Sequence, residues 1–173
     1  MSGNKPLQEF VPLQIAVVTV SDTRTEENDT SGQYLIDSLK GEGHILNQKH
    51  ICKDDVDDLK SLVKSLIEDD DIHAVLTTGG TGFTKRDNTV VALTPLLESK
   101  IDGFGELFRQ LSYTEIGSST IQSRAFAGLS NNTVIFCMPG STGACKTAWE
   151  GIIKDQLDSR HRPCNFVDRI TAR

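Results

Sequence analysis

Residues 73–82 read HAVLTTGGTG and place an apolar, β-branched segment directly before a turn rich in glycine. A short apolar run bounded by glycine predicts a buried strand over residues 73–78. The glycines let the backbone turn sharply and approach a ligand closely. Amides freed at such a turn can form a concave anion site, which the hydroxyls of Thr78 and Thr81 can extend. A tight strand-to-helix turn without a ligand is the alternative. We favour the ligand site, because three glycines and three threonines in residues 77–82 exceed what a turn needs.

Predicted strands and helices alternate on both sides of this stretch. The predicted strands span residues 14–20, 44–51, 73–78, 125–129 and 133–138, and the last two form a hairpin through Asn131 and Asn132. The predicted helices span residues 29–41, 55–68, 89–98 (bent or divided at Pro95), 104–113 and 141–157. This order predicts an α/β fold with three layers, a mostly parallel sheet with helices on both faces and a small β-hairpin. Ligands of such folds bind beyond the carboxyl ends of the strands.

A chain of 173 residues falls within the roughly 100–200 residues of a single domain. We expect an N-terminal arm over residues 1–12, one α/β domain over 13–157, and an irregular tail over 158–173 that lies on the surface or on a neighbouring subunit. The net charge of −6 disfavours DNA or RNA as a partner. No apolar run approaches the roughly 20 residues that span a membrane. Four cysteines without metal or disulfide spacing, and an N-terminus without a signal-peptide core, predict a cytoplasmic location.

Two aspartates lie where a functional carboxylate is expected. Asp87 follows the glycine-rich turn by five residues, and it either caps the next helix or holds Mg²⁺ on a nucleotide phosphate. The pattern leaves both readings of Asp87 open. Asp54 follows the second strand, where a parallel sheet places functional groups, whereas its neighbour Asp55 is better explained as a helix cap.

Other loops at the same edge of the sheet carry further candidates. Ser21 and Asp22 end the first strand, and Arg124 after Ser123 can clamp a phosphate, with helix capping or a surface ion pair as the alternative. Residues 140–147 nearly match a P-loop, but Cys145 stands where that motif needs glycine. A nucleotide hydrolase built on this segment is therefore a weak alternative. The start of its helix can still bind an anion through the amides of Ser141 and Thr142.

Several of these motifs, in this order, resemble the molybdopterin-binding MoaB/MogA family of molybdenum cofactor biosynthesis. The resemblance covers residues 13–165 and looks closest to the MoaB branch, through MPGST at 138–142 and RPCNF at 162–166. The other matching motifs are VSD at 20–22, LTTGGTG at 76–82, RD at 86–87, GFGE at 103–106 and SR at 123–124.

The resemblance implies a molybdopterin-binding α/β fold that assembles as a homo-oligomer, either a trimer or a hexamer. It also implies transfer of AMP from Mg-ATP to the terminal phosphate of molybdopterin, with release of pyrophosphate, and contacts with other proteins of the pathway. Ser141 stands where clear adenylyltransferases of the family commonly carry Asn or Gln, so a non-catalytic molybdopterin-binding or carrier protein is the alternative.

Carried over by position, the family's site residues fall into three groups. The Mg²⁺ and catalytic residues are Asp54 and Asp87. The molybdopterin and phosphate residues are Ser21, Asp22, Thr78, Gly79, Gly80, Thr81, Gly82, Ser123 and Arg124. The nucleotide residues are Pro139, Gly140, Ser141 and Thr142.

Overall fold

The computed structural model describes residues 8–172, which contain one six-stranded mixed sheet. Its strands are β1 (Gln14–Val20), β2 (Ile45–Cys52), β3 (Ala74–Thr78), β4 (Ser99–Lys100), β5 (Phe126–Ser130) and β6 (Thr133–Met138). The order across the sheet is β2-β1-β3-β6-β5-β4. The first four strands in this order run parallel, and β5 and β4 pair antiparallel at one edge. The carboxyl ends of β1, β2, β3 and β6 therefore meet at one edge of the sheet.

Seven α-helices connect or follow these strands in the described residues. They are α1 (Thr30–Gly41), α2 (Val56–Glu68), α3 (Thr89–Leu93), α4 (Asp102–Ile116), α5 (Thr142–Ala148), α6 (Lys154–Gln156) and α7 (Val167–Thr171). The first two begin as the sequence predicts, because the Asp29 carboxylate accepts from the amide of Gly32 and the Asp55 carboxylate accepts from the amide of Asp58, each at 3.0 Å.

Side chains of the central strands are buried on both faces of the sheet. Ile15 and Val17 of β1 point into a core that α1, α4, α5 and α7 cover. Ala16 and Val18 alternate with them and point into a second core under α2 and α3. The predicted three-layer α/β fold is confirmed. No helix within residues 8–172 is long and apolar enough to cross a membrane.

The helix predicted over residues 89–98, bent or divided at Pro95, is a shorter α-helix followed by a 3₁₀ turn. Helix α3 ends at Leu93, and a 3₁₀ turn over Thr94–Leu96 contains Pro95. Strand β4 follows and pairs with β5, which makes a sixth strand that the sequence analysis missed. Two residues are too few for the alternation by which strands are recognised. The helix predicted over 141–157 is confirmed as one continuous helical segment from Thr142 to Gln156, in which a π-helical turn over Trp149–Ile153 lies between α5 and α6.

The prediction of an irregular tail is wrong at α7. Val167 and Ile170 of this helix are buried in the same core as α1 and α4. A helix of five residues is too short to show a 3.6-residue period, so the pattern gave no signal. Residues 1–7 of the predicted arm, and Arg173 of the tail, lie outside the described residues. The arm's described part is attached, because the hydroxyl of Ser159 donates to the carbonyl of Glu9 at 2.7 Å.

Candidate functional site

A polar cleft of about 360 Å³ lies at the carboxyl ends of β1, β2, β3 and β6. The loops after all four strands contribute to it, as the position of ligands in parallel sheets predicts. It brings together most of the residues that the sequence analysis singled out. The lining residues are Val20, Ser21, Asp22, Thr23, Asp54, Gly79, Gly80, Thr81, Gly82, Arg86, Asp87 and Gly140.

The glycine-rich loop, residues 79–82, has a backbone that other residues rarely adopt. Gly79 and Gly80 have φ angles of +109° and +69°, in the left-handed region. A methyl group on Gly79 would overlap the carbonyl oxygen of Val20. Thr89 holds the loop from behind, because its hydroxyl donates to the Gly79 carbonyl at 2.8 Å and its amide donates to the Gly80 carbonyl at 3.0 Å. The loop is therefore held in one conformation by hydrogen bonds from the start of α3.

Two carboxylates converge on this loop. A methyl group on Gly80 would lie 3.0 Å from Oδ2 of Asp54, and one on Gly82 would lie 2.8 Å from Oδ2 of Asp87. Such distances are closer than ordinary carbon–oxygen contacts, so a side chain at either position would displace the carboxylate from the loop. The structure thus brings Asp54 and Asp87, which are 33 residues apart in the chain, to one loop.

Hydrogen bonds fix the position of each carboxylate. Oδ1 of Asp54 accepts from the amide of Asn88 at 2.9 Å. Oδ2 of Asp87 accepts from the amide and the hydroxyl of Thr84 at 2.8 and 2.7 Å. Asp87 therefore closes a turn and does not cap α3, whose N-terminal cap is Asn88. Within residues 8–172, the remaining oxygen of each carboxylate, Oδ2 of Asp54 and Oδ1 of Asp87, accepts no hydrogen bond.

The cleft carries an excess of negative charge. Burial raises the pKa of Asp54, hydrogen bonds from Asn88 oppose this, and the charges of Asp87 and Asp22 raise the pKa further. Burial is the largest of these causes and the two neighbouring charges are the smallest, and a bound cation would favour the charged form of the carboxylates. No group of three or more His, Cys, Asp or Glu side chains within residues 8–172 is arranged to hold a metal. Mg²⁺ is commonly held by one or two carboxylates together with substrate phosphates, which the pair of free oxygens fits.

The loop after β1 contributes Asp22, and its partner is a residue that the sequence analysis did not select as a site. Oδ1 of Asp22 accepts from the amide of Asp54 at 3.1 Å, and Oδ2 lies 3.5 Å from Nη1 of Arg86. Ser21 caps its own turn, because its hydroxyl accepts from the amides of Thr23 and Arg24. The sequence alone does not distinguish Arg86 from its neighbour Lys85, since both are cationic residues in the same loop.

Arg124 forms no ion pair within residues 8–172, so the alternative of a surface ion pair finds no support there. Its guanidinium donates to the carbonyls of Thr81, Gly82 and Asp87, and it stacks 4.7 Å from the centre of the Phe83 ring. Arg124 and Ser123 line a neighbouring cavity of about 550 Å³ and not the cleft itself. Arg124 therefore supports the glycine-rich loop, and its predicted contact with a phosphate stays a prediction.

The segment after β6 meets the cleft at Gly140. The hydroxyl of Ser141 caps α5 by accepting from the amide of Ala144 at 3.1 Å, and Thr142 donates to the hydroxyl of Thr30 at 3.0 Å. The hydroxyl of Thr78 donates to the carbonyl of Pro139 at 3.0 Å, so it joins two loops and does not extend the amides of the glycine-rich loop.

The structure does not support the alternative of a P-loop over residues 140–147. Cys145 is buried, and its Sγ donates to the hydroxyl of Thr78 at 3.2 Å. Lys146 lines a separate cavity between α4 and α5 and is absent from the lining of the cleft. A P-loop needs its lysine on the phosphates that the loop cradles.

Comparison with known proteins agrees with the fold described above. Residues 16–159 match the model of a family described as "Probable molybdopterin binding domain". Molybdenum cofactor biosynthesis protein B of Escherichia coli K12 is 54% identical over 158 residues, which cover 91% of this chain and 93% of that protein.

Solved structures extend the similarity to three dimensions. A crystal structure of molybdenum cofactor biosynthesis protein B superposes with a TM-score of 0.84 at 46% identity, covering 87% of this chain and 94% of the other. The tungsten cofactor synthesizing protein MoaB from Pyrococcus furiosus superposes with a TM-score of 0.75 at 36% identity, covering 84% and 92%.

Proposed function

The chain belongs to the family of probable molybdopterin binding domains, and on that premise we propose that it binds molybdopterin in the cleft and transfers AMP from Mg-ATP to the terminal phosphate of molybdopterin. Its relatives are molybdenum cofactor biosynthesis proteins, and the chain belongs to that pathway. The proposal includes a homo-oligomer, either a trimer or a hexamer, and contacts with other proteins of the pathway.

One observation carries the proposal. Asp54 and Asp87 approach the glycine-rich loop so closely that a methyl group on Gly80 or Gly82 would lie within 3.0 Å of a carboxylate oxygen. A loop that offers backbone amides attracts a phosphate, whereas two carboxylates beside it repel one. These opposing preferences are reconciled when a divalent cation lies between the carboxylates and the phosphate. Phosphoryl-transfer sites commonly have this composition.

The residues of the chain supply position and charge for the transfer. The amide of Gly79 already donates to the carbonyl of Met138 at 2.9 Å, so the amides of residues 80–82 would bind the terminal phosphate of molybdopterin. Gly140 and its neighbours Pro139, Ser141 and Thr142 would bind the nucleotide. The free oxygens of Asp54 and Asp87 would hold Mg²⁺, which supplies charge neutralisation on the phosphates when bound. An oxygen of the molybdopterin phosphate then forms a bond to the α-phosphorus of ATP, the bond from that phosphorus to the bridging oxygen breaks, and pyrophosphate leaves. The step needs no strong base, because the attacking oxygen is already anionic.

A non-catalytic molybdopterin-binding or carrier protein is the second candidate. It is favoured by the structural hydrogen bonds that Asp54 and Asp87 already make, which would account for both residues without chemistry. The helix cap that Ser141 provides is in keeping with this candidate too. Both candidates place molybdopterin in the same cleft and differ in whether AMP is transferred.

A turnover assay separates the two candidates. Purified protein is mixed with molybdopterin, ATP and Mg²⁺, and adenylylated molybdopterin is followed by chromatography together with pyrophosphate. We expect both products in equal amounts, and Asp87→Asn should abolish turnover while molybdopterin affinity stays within about twofold, since the amide oxygen can still accept from Thr84. Asp71→Asn, in an exposed turn before β3 at the opposite end of the sheet, is the matched control. Saturable molybdopterin binding without product would overturn adenylyl transfer and leave the carrier.

A further inference from the structure

Arg86 is the single cationic side chain that lines the cleft within residues 8–172, against the three carboxylates Asp22, Asp54 and Asp87. This inference rests on the proposed function, since it concerns a nucleotide in the same cleft. A polyphosphate carries several negative charges, and the carboxylates alone would repel it. The positive charge of Arg86 on the lining of the cleft would offset this repulsion.

The side chain of Arg86 is held loosely in its present position. It is 80% exposed, and its one ion pair in the described residues is the 3.5 Å contact with Asp22. Exposed ion pairs of this kind contribute little to stability, so exchanging Asp22 for another anion costs little. The backbone beneath is better fixed, because the amide of Arg86 donates to the hydroxyl of Thr84, which also holds Asp87.

Arg124, the arginine that the sequence suggested as a phosphate clamp, already donates its hydrogen bonds to backbone carbonyls. Its Nε and Nη2 atoms donate to the carbonyls of Thr81, Gly82 and Asp87. It also lines the neighbouring cavity and not the cleft. Of these two arginines, Arg86 is thus the one with free donors facing the cleft. A guanidinium offers two parallel N–H groups to a phosphate, which a lysine cannot.

We propose that Arg86 exchanges Asp22 for the polyphosphate of the bound nucleotide and binds it through its guanidinium. The glycine-rich loop supplies amides at the carboxyl end of β3, where a monoester phosphate would bind together with the divalent cation held by Asp54 and Asp87. Arg86 lies at the solvent-exposed margin, where the outer phosphates of a nucleotide extend. In this arrangement Asp22 keeps the guanidinium at the cleft, and a multiply charged polyphosphate, as the stronger partner, displaces Asp22.

The test is the affinity of Arg86→Gln for MgATP and for tripolyphosphate with Mg²⁺, measured by titration calorimetry on the full chain. We expect a loss of about tenfold or more for both, the usual size for a lost hydrogen bond to a charged group. Arg86→Lys should recover part of the loss, because lysine keeps the positive charge but lacks the two parallel N–H groups of a guanidinium. Lys85→Gln, which removes the same charge one residue away and outside the cleft lining, should stay within about twofold of the parent.

Several outcomes would overturn the inference. Equal losses in Arg86→Gln and Lys85→Gln would show a general charge effect and no contact. A loss of molybdopterin affinity with unchanged MgATP affinity would place Arg86 on the monoester phosphate instead. Absence of MgATP and tripolyphosphate binding by the parent would overturn it together with adenylyl transfer.

The inference and the proposed function can fail separately. If the parent forms adenylylated molybdopterin and Arg86→Gln matches it in kcat and in KM for ATP, only the role of Arg86 is wrong. If Arg86→Gln weakens MgATP binding in a protein that forms no product, the role of Arg86 stands and adenylyl transfer is wrong.

Discussion

The hydroxyl of Thr89 donates a 2.8 Å hydrogen bond to the carbonyl of Gly79, and both atoms are buried beside the cleft. This bond joins the first residue of α3 to the loop that we propose binds phosphate. Thr89→Val keeps the shape of the side chain but leaves that carbonyl without its donor. We expect the free energy of unfolding to fall by about 1–3 kcal/mol in urea titrations. Hydrogen exchange of the amides of residues 80–82 should become faster.

Thr89→Ser is the control for this prediction. It retains the hydroxyl and loses a methyl group, so it should lose about 1 kcal/mol of stability with little change in loop exchange. Unchanged exchange in Thr89→Val would mean that the loop keeps its conformation without α3.

The conformation of Gly79 gives a second prediction. Its φ is +109°, and an added methyl group would overlap the Val20 carbonyl, so Gly79→Ala combines backbone strain with a steric clash. We expect a loss of more than about 2 kcal/mol in the free energy of unfolding. Gly143→Ala in α5 meets nothing within 4 Å, and the same exchange there should leave stability unchanged or raise it by up to about 1 kcal/mol. Similar losses for both variants in urea titrations would contradict this account.

The fold could be predicted from the sequence wherever an element was long or had a distinctive boundary. Strands β1, β3 and β6 are apolar runs buried on both faces, and α2 carries apolar residues at helical spacing behind a capping aspartate. Strand β4 and helix α7 gave no signal, because two and five residues are too few to show a period.

The candidate site was predictable in its location and less so in its details. The rule that ligands bind at the carboxyl ends of parallel strands placed Asp22, Asp54 and Asp87 together, and they do line one cleft. Side-chain directions are set by tertiary contacts, which a single sequence does not contain. For this reason the hydroxyl of Thr78 was expected to extend the loop, whereas it donates to the Pro139 carbonyl.

The C-terminal helix α7 is the subject of a third prediction. Ile170 has no exposed surface and packs in the core shared by α1 and α4. Ile170→Ala should therefore lower the free energy of unfolding by about 2–4 kcal/mol, as for other large core residues. Asp168→Asn, whose side chain makes one exposed 3.5 Å hydrogen bond to Gln8, should change it by less than about 0.5 kcal/mol. A loss below about 1 kcal/mol for Ile170→Ala would mean that the segment packs loosely, as the sequence analysis first suggested.

His44 should make the stability of the protein depend on pH. Its ring is buried, and Nδ1 accepts a hydrogen bond from the amide of Leu13 at 3.1 Å. Burial lowers the pKa of His44 to about 4 from an ordinary value of 6.5, although the nearby Asp158 carboxylate acts in the opposite direction. Below pH 6.5 the unfolded chain binds a proton that the folded chain binds only near pH 4. The contribution of neutral His44 to the free energy of unfolding is thus complete above pH 6.5, and it is lost as the pH falls toward 4.

His44→Asn tests this dependence, because the amide oxygen can accept from Leu13 and the side chain does not titrate. From pH 7 to pH 4.5, urea titrations of the parent should show a loss of about 2–3 kcal/mol due to this residue, since each pKa unit corresponds to about 1.4 kcal/mol. The loss in His44→Asn should be smaller by that amount, even if its stability at pH 7 is lower. Parallel pH profiles for the parent and His44→Asn would show that the buried imidazole binds its proton as readily in the folded chain as in the unfolded one.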